Sequence, residues 1–162
     1  MHATAYHDNV QARLFGHVAS LTVTGSPVHV YQGQGAARER VPATGAWVRW
    51  SFEPIGATRV GRFDADEVAR VDAALLIADL FWPVSTANAY EVVRAASELA
   101  DGFELLSLSF LDYASDPASP PTVADARIRV LEPPRVRSLP TADGYDRRRV
   151  ETVATWVSRF TA

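Results

Sequence analysis

The sequence contains no cysteine and no lysine. Without cysteine, disulfides, thiolate nucleophiles and cysteine-ligated zinc are excluded. Without lysine, Schiff-base chemistry and the phosphate-binding lysine of a P-loop are excluded. The chain has 16 basic residues, all arginines, and 19 acidic residues, which gives a net charge of -3. This charge argues against a general nucleic-acid-binding protein, which usually carries a basic face.

A long hydrophobic run is also missing. The longest apolar stretch, Ala73–Val84, is interrupted by Asp79 and is far shorter than the roughly 20 residues that span a bilayer. The first residues do not show the basic segment followed by an apolar segment that marks a secretory signal. We therefore expect no membrane association and a cytoplasmic location by default.

The length of 162 residues and the hydrophobic content of 48% fit one globular domain, residues 1–162. Apolar residues at helical spacing predict one helix over Tyr6–Leu21 and a second over Asn88–Phe103. Asn88 and Glu91 have the spacing of a capping box at the start of the second helix.

Two segments predict a long hairpin. "AWVRWSFEPI" (46–55) alternates, with Trp47, Arg49, Ser51 and Glu53 on one face, and "ATRVGRF" (57–63) extends it. Val68–Trp82 is apolar on both faces, which is typical of a strand covered on both sides or shared with a neighbouring subunit. The acidic turn at 64–67 joins the two strands.

Shorter strands are predicted at 28–31, 104–113 and 126–134, and loops at 32–45, 114–125 and 135–145. Asp143 and Gly144 form a turn signal. The segment 147–160 suits either a helix or a strand, and its many β-branched residues favour a strand. The predicted fold class is α+β, a single domain with a mainly antiparallel sheet and a long β-hairpin packed against two helices.

No motif with specific chemistry is found. None of the four histidines has metal-ligand spacing, and Gly33-x-Gly35 falls short of a nucleotide-binding loop. The carboxylates at 64–67 lack EF-hand spacing, so a solvated hairpin tip is favoured over a cation site. The cluster Arg147–Arg149 suits either contact with phosphates or an acidic partner, or a solvated strand start. We expect no enzyme, no metal and no cofactor, and the four tryptophans favour an oligomer.

The order and spacing of these segments resemble the tail terminator (tail completion) proteins of long-tailed bacteriophages and gene transfer agents. The resemblance lies in "VYQGQG", "VPATGAWVRWSFEP", "LLIADLFWPVSTANAYEVVRAASELADGF" and "DGYDRRRVETVATWV", about half of the chain. The segment 114–142 is longer than the family pattern before its last strand.

The resemblance implies a virion protein assembled in the host cytoplasm and placed at the head-proximal end of the tail. Copies form a homo-hexameric ring that caps the tail tube, stops its polymerisation and offers a docking face to the head-side connector, while DNA passes through the lumen without specific binding. It also implies oligomer or tube interfaces. The residues expected there are Arg38 and Arg40 in the loop 33–44, Asp64, Asp66 and Glu67 at the hairpin tip, and Arg147, Arg148 and Arg149.

Two other classes of function stay open. The chain also suits another head–tail connector or a tail tube protein. It suits a small ligand-binding or enzymatic α+β domain as well, with the Pro83–Asn88 turn as the lip of a pocket.

Overall fold

A computed structural model describes residues 3–32, 41–64, 67–84, 89–111, 116, 118–119 and 122–161. The helices are α1 (Ala3–Ser20) and α2 (Ala89–Asp101). The strands are β1 (Val28–Tyr31), β2 (Trp47–Asp64), β3 (Glu67–Pro83), β4 (Ser107–Leu111), β5 (Thr122–Val130), β6 (Arg135–Ala142) and β7 (Tyr145–Thr161).

The seven strands belong to one sheet in the order β1-β2-β3-β7-β5-β4, and β6 also pairs with β7. The two central strands, β3 and β7, are antiparallel over their whole lengths, and so are β2 and β3. β1 runs parallel to β2, so the sheet is mixed. The predicted α+β class is confirmed, and the prediction of a mainly antiparallel sheet with a long hairpin is confirmed only in part.

Both helices share one core with a single face of the sheet, which we call the inner face. Alternate residues of β3 from Ala74 to Trp82 are buried in this core together with Trp50, Ala154 and Trp156. Each helix adds apolar residues at helical spacing, among them Val10, Leu14 and Val18 of α1 and Val92, Ala96 and Leu99 of α2. The opposite face, which we call the outer face, is the one that carries the candidate interface.

The segment between α1 and β1 is held against α2. Both the backbone amide and the hydroxyl of Thr24 donate hydrogen bonds to the Glu98 carboxylate, each at 2.5 Å. Gly25 has a φ of +71°, and a Cβ there would lie 2.6 Å from the indole ring of Trp82. Only glycine tolerates both the positive φ and the close approach of Trp82, so the connection between α1 and β1 packs directly against the end of β3.

Two predictions near the end of the chain have different outcomes. The ambiguous segment 147–160 is a strand, part of β7, as its β-branched residues favoured. The predicted loop 135–145 is wrong, because β6 occupies most of it and pairs with β7. Asp143 and Gly144 both have positive φ, the geometry of a two-residue type I′ hairpin, and they join the two strands.

Candidate interface on the outer face

The outer face of β2, β3, β7 and β6 carries the residues that alternate with those of the shared core, and of these Trp47 and Ile77 are themselves buried. In register across these strands stand Trp47, Phe81, Arg147 and Leu139 in one row, and Arg49, Asp79, Arg149 and Arg137 in the next. The sequence prediction that Trp47, Arg49, Ser51 and Glu53 share a face opposite Trp50 is confirmed.

An ion-pair network crosses the middle of this face. The Nε and Nη2 of Arg149 donate hydrogen bonds to the two carboxylate oxygens of Asp79, at 2.6 and 2.9 Å. These bonds raise the pKa of Arg149 above its ordinary value. Arg137 donates to Glu151 at 2.7 Å. The network joins β3, β7 and β6 through bidentate and single charged hydrogen bonds.

The three arginines of the 147–149 cluster have different surroundings. Arg149 pairs with Asp79, and Arg148 pairs with Asp146 at 3.1 Å. The guanidinium of Arg147 lies 5.0 Å from the centre of the Phe81 ring, and its Nε is buried with no hydrogen-bond partner among the described residues. Of the three, Arg147 has the most capacity for a further partner.

Aromatic rings surround Arg147. Trp47 and Phe81 stack with ring centres 3.8 Å apart and planes 1° apart, and Tyr145 meets Phe81 edge-on at 6.2 Å. The guanidinium of Arg49 lies 5.2 Å from the Trp47 ring centre. These residues and the segments 41–43 and 142–143 line a cleft of about 450 Å³, which we call the aromatic cleft.

Beyond the ion pairs, the outer face becomes apolar. Leu75 stands opposite Val153, and Val71 stands opposite Val157, with the pair of Ala73 and Thr155 between them. Val153 is 38% exposed and Val157 is 45% exposed. We call these four residues the apolar stripe. Branched apolar side chains that stand in register on two central strands and meet solvent are typical of an interaction surface.

The edge of β2 offers a second kind of contact. β1 pairs with β2 only from Trp47 to Trp50, whereas β2 continues to Asp64. In the ranges that the structure describes, no strand pairs with this edge of β2 beyond the contact of Gln32 with Trp50. An open edge of this kind is able to accept a strand from another chain.

The other sequence-predicted residues lie apart from the aromatic cleft or outside the described residues. Asp64 and Glu67 pair across the tip of the β2–β3 hairpin, at the far end of both strands from the cleft. Arg38, Arg40 and Asp66 lie outside the described residues, as does most of the loop 33–44. Phe81 and Tyr145 carry no sequence signal of their own, although Trp47 and Arg49, at i and i+2 on one strand face, were a usable signal.

The histidines that the structure describes in full serve as packing residues. Nε2 of His17 donates to the carbonyl oxygen of Gly102 at 2.8 Å. Nε1 of Trp50 donates to Nδ1 of His29 at 2.9 Å, and burial lowers the pKa of His29. Among the described residues, no three His, Asp or Glu side chains are grouped closely enough to hold a metal ion.

A second cleft, of about 460 Å³, lies at Pro83, where the sequence analysis placed a possible pocket lip. Gly25, Trp82, Glu91 and Tyr145 line it together with Pro83. The remainder of the predicted lip, 85–88, lies outside the described residues.

No protein-family model and no curated protein matches the chain. A solved structure that is 17% identical is similar along 98% of this chain and 96% of its own, with a TM-score of 0.48. A likeness at this level carries no argument about function. No helix in the described ranges combines the length and the apolar character needed to cross a bilayer.

Proposed function

We propose that the protein is a structural subunit of a phage-type tail. Copies of it form a closed ring, hexameric as in the family that the sequence resembles, which caps the tail tube, ends its polymerisation and provides the docking face for the head connector. The observation that carries the proposal is the apolar stripe on the outer face, opposite the helix-covered core.

The stripe supports an oligomer because of its position. β3 and β7 are antiparallel central strands, and an antiparallel sheet with one solvated face usually carries polar residues on that face, so apolar residues there call for a partner. Here the helices cover only the inner face, whereas Val153 and Val157 meet solvent in the single chain. A neighbouring copy on the outer face would bury them at a gain of roughly 25 cal/mol per Å² of apolar surface.

The open edge of β2 supports a ring for a second reason. A strand edge and a sheet face are different surfaces, so a contact between them is heterologous, and repeated heterologous contacts give a ring when their rotation closes. In this arrangement the domain 1–162 is tail-terminator-like, and the long β2–β3 hairpin contacts its neighbours.

Further roles follow from the resemblance. The loop 33–44, with Arg38 and Arg40, contacts a neighbour or the tube protein, and the acidic tip with Asp64, Asp66 and Glu67 lies at the ring edge or the lumen. Carboxylates in a lumen would repel DNA phosphates and let the DNA slide through without specific binding. The ring belongs to the head-proximal end of the virion tail, is assembled in the host cytoplasm, and needs no cofactor or membrane.

The test has two steps. Light scattering after size exclusion, followed by negative-stain imaging, should show closed rings of one size. Purified rings added to polymerising tail tube protein should then stop tube growth and appear at one end of each tube. Open stacks of the protein itself would favour a tube subunit. A monomer that stays monomeric with tubes present would contradict the ring and favour a small ligand-binding domain.

A further inference from the structure

We propose that the turn after α2 of one copy covers the apolar stripe of the next copy. This contact belongs to the proposed ring and depends on it, and it names the surface that faces the stripe. Leu105 forms the apolar centre of this surface, and Asp101 and Glu104 carry its charges. We call these three residues the α2 turn.

The stripe has exposed arginines along one side. Arg129 stands opposite Thr155, which lies between the two exposed valines of the stripe, and Arg127 is two residues away on the same strand, β5. Arg135 stands opposite Glu151 at the start of β6. All three arginines are exposed, and none forms an ion pair with a residue that the structure describes. This side of the stripe therefore attracts carboxylates.

Few carboxylates offset this positive charge. Glu151 already accepts a hydrogen bond from Arg137 at 2.7 Å. Glu132 is exposed in the loop between β5 and β6, and it is a single carboxylate beside three arginines. Since the whole chain has a net charge of -3, the rest of its surface is acidic. A second copy of the chain is thus a partner of the right sign.

The α2 turn is acidic where a helix favours the opposite charge. Asp101 is the last residue of α2, and its carbonyl oxygen accepts a hydrogen bond from the amide of Glu104 at 3.2 Å. Both carboxylates are exposed, neither forms an ion pair with a described residue, and the last turn of α2 has no basic residue. The C-terminal end of a helix carries a partial negative charge, which cations stabilise. The arginines of another copy would supply the missing positive charge.

A cavity beside the stripe suits the third residue of the α2 turn. Its volume is about 140 Å³. The apolar part of its lining is formed by Leu75, Pro133 and Val153. A cavity of roughly 150 Å³ takes one benzene-sized apolar group, so this one suits the side chain of Leu105, which is 80% exposed. Because Arg135 lines the same cavity and Glu104 precedes Leu105, seating the leucine brings the two charges together.

The α2 turn that covers the stripe has to come from another copy. α2 packs on the inner face of the sheet and the stripe lies on the outer face, so the sheet separates Asp101 from the stripe of its own chain. The two surfaces lie on different sides of one molecule. Their contact is therefore heterologous, which is the kind of contact that repeats around a ring.

The open edge of β2 is the other surface of the chain that could face the stripe. The exposed residues that the structure describes in full on this edge are 53–56, and Glu53 is the only charged residue among them. Pro54 has no amide hydrogen, which interrupts the row of donors along the edge. The α2 turn matches both the apolar and the basic part of the outer face, and the β2 edge does not.

The first test removes the apolar centre of each of these two surfaces. Leu105→Asn acts on the α2 turn, and Ile55→Asn is the matched control on the β2 edge; the two side chains are 80% and 58% exposed. Asparagine also accepts the positive φ of Leu105, 52°, so this variant should fold as wild type. Sedimentation velocity measures the self-association, and urea unfolding measures the stability. We expect Leu105→Asn to self-associate about tenfold more weakly, because apolar area leaves the contact, and Ile55→Asn to associate as wild type.

The second test reverses one charge on each surface. Glu104→Arg and Arg135→Glu each place like charges in every contact, so each variant alone should associate at least about tenfold more weakly than wild type. An equal mixture should restore the assembly. In that mixture the reversed turn meets the reversed face, and the native turn meets the native face. Wild-type association should also weaken between 50 and 500 mM salt, which screens these charges.

The outcomes separate this contact from the proposed ring. If Leu105→Asn and both reversals form rings as readily as wild type, the α2 turn is excluded and the ring stands. A loss of association in Ile55→Asn would then assign the stripe to the β2 edge. If the mixture of reversals does not restore the assembly that each one prevents, the pairing of Glu104 with Arg135 is overturned. If wild type is monomeric under all conditions, the contact and the ring are overturned together. Misfolding of Arg135→Glu leaves Leu105→Asn and Glu104→Arg, which decide the question alone.

Discussion

The pair of Asp79 and Arg149 is a bidentate contact at the centre of the outer face. It links the two central strands, and both side chains are more than half buried. The partly buried Arg149 guanidinium is stabilised because the Asp79 carboxylate replaces the hydrogen bonds that water would have made. The pair therefore contributes more than the exposed ion pairs of the same face.

We predict that Asp79→Asn lowers the free energy of unfolding by about 1–2 kcal/mol, because Arg149 loses a charged partner. The matched control is Arg137→Gln, since Arg137 is 57% exposed and pairs with Glu151, and its loss should cost less than about 1 kcal/mol. Urea unfolding at one protein concentration measures both. Equal losses for the two variants would contradict the ranking.

At the scale of elements, the β6–β7 hairpin shows what local sequence patterns can and cannot predict. The turn at Asp143 and Gly144 was recognisable, because those residue types accept positive φ. The strand β6 itself was not recognisable from the sequence. Most of its side chains are exposed, so it has no buried face that would produce an alternating pattern. Its register with β7 shifts between Leu139 and Ala142, next to Pro140. β7 supplies the backbone edge that makes this segment a strand.

The contact of Thr24 with Glu98 joins the segment after α1 to α2, and we predict that its contribution depends on pH. Hydrogen bonds from the Thr24 hydroxyl and amide hold the pKa of Glu98 below its ordinary value of 4.5. The folded protein therefore binds this proton less readily than the unfolded chain. The stabilisation is complete above about pH 4.5 and is lost as the pH falls through the lowered pKa.

Glu98→Gln should lower the free energy of unfolding by about 1 kcal/mol at pH 7, and the difference from wild type should shrink below about pH 4.5. Thr24→Val tests the same contact from the other side and should show the same trend. Unfolding curves between pH 3 and pH 7 measure both variants. A difference that stays constant over that range would show that the carboxylate charge makes no contribution.

At the scale of the whole molecule, the proposed ring depends on the apolar stripe. We predict that Val157→Thr weakens self-association about tenfold, because a hydroxyl would be buried in the contact without a partner. Val136→Thr is the matched control: Val136 is 47% exposed, close to the 45% of Val157, and it lies on β6 outside the stripe. Sedimentation equilibrium measures both. Identical association by the two variants would place the contact elsewhere.

Sequence patterns alone predict the stripe better than the cleft. Val68–Trp82 was apolar on both faces, and this doubled pattern is the origin of the stripe. The cleft depends on Trp47, Phe81 and Arg147 from three strands, and only the register of β2, β3 and β7 brings them together. That register is set by long-range pairing, which no local periodicity records.

The place of β7 in the chain has a consequence for how the sheet is made. The second neighbour of β3 in the sheet is β7, which lies far along the chain. The paired residues Asp79 and Arg149 are 70 positions apart. Contacts of such sequence separation are slow to form, because a long loop has to close before they return any stability. During synthesis, β3 is thus an edge strand with apolar residues on both faces, and it is open to the wrong partners for as long as β7 is still being made.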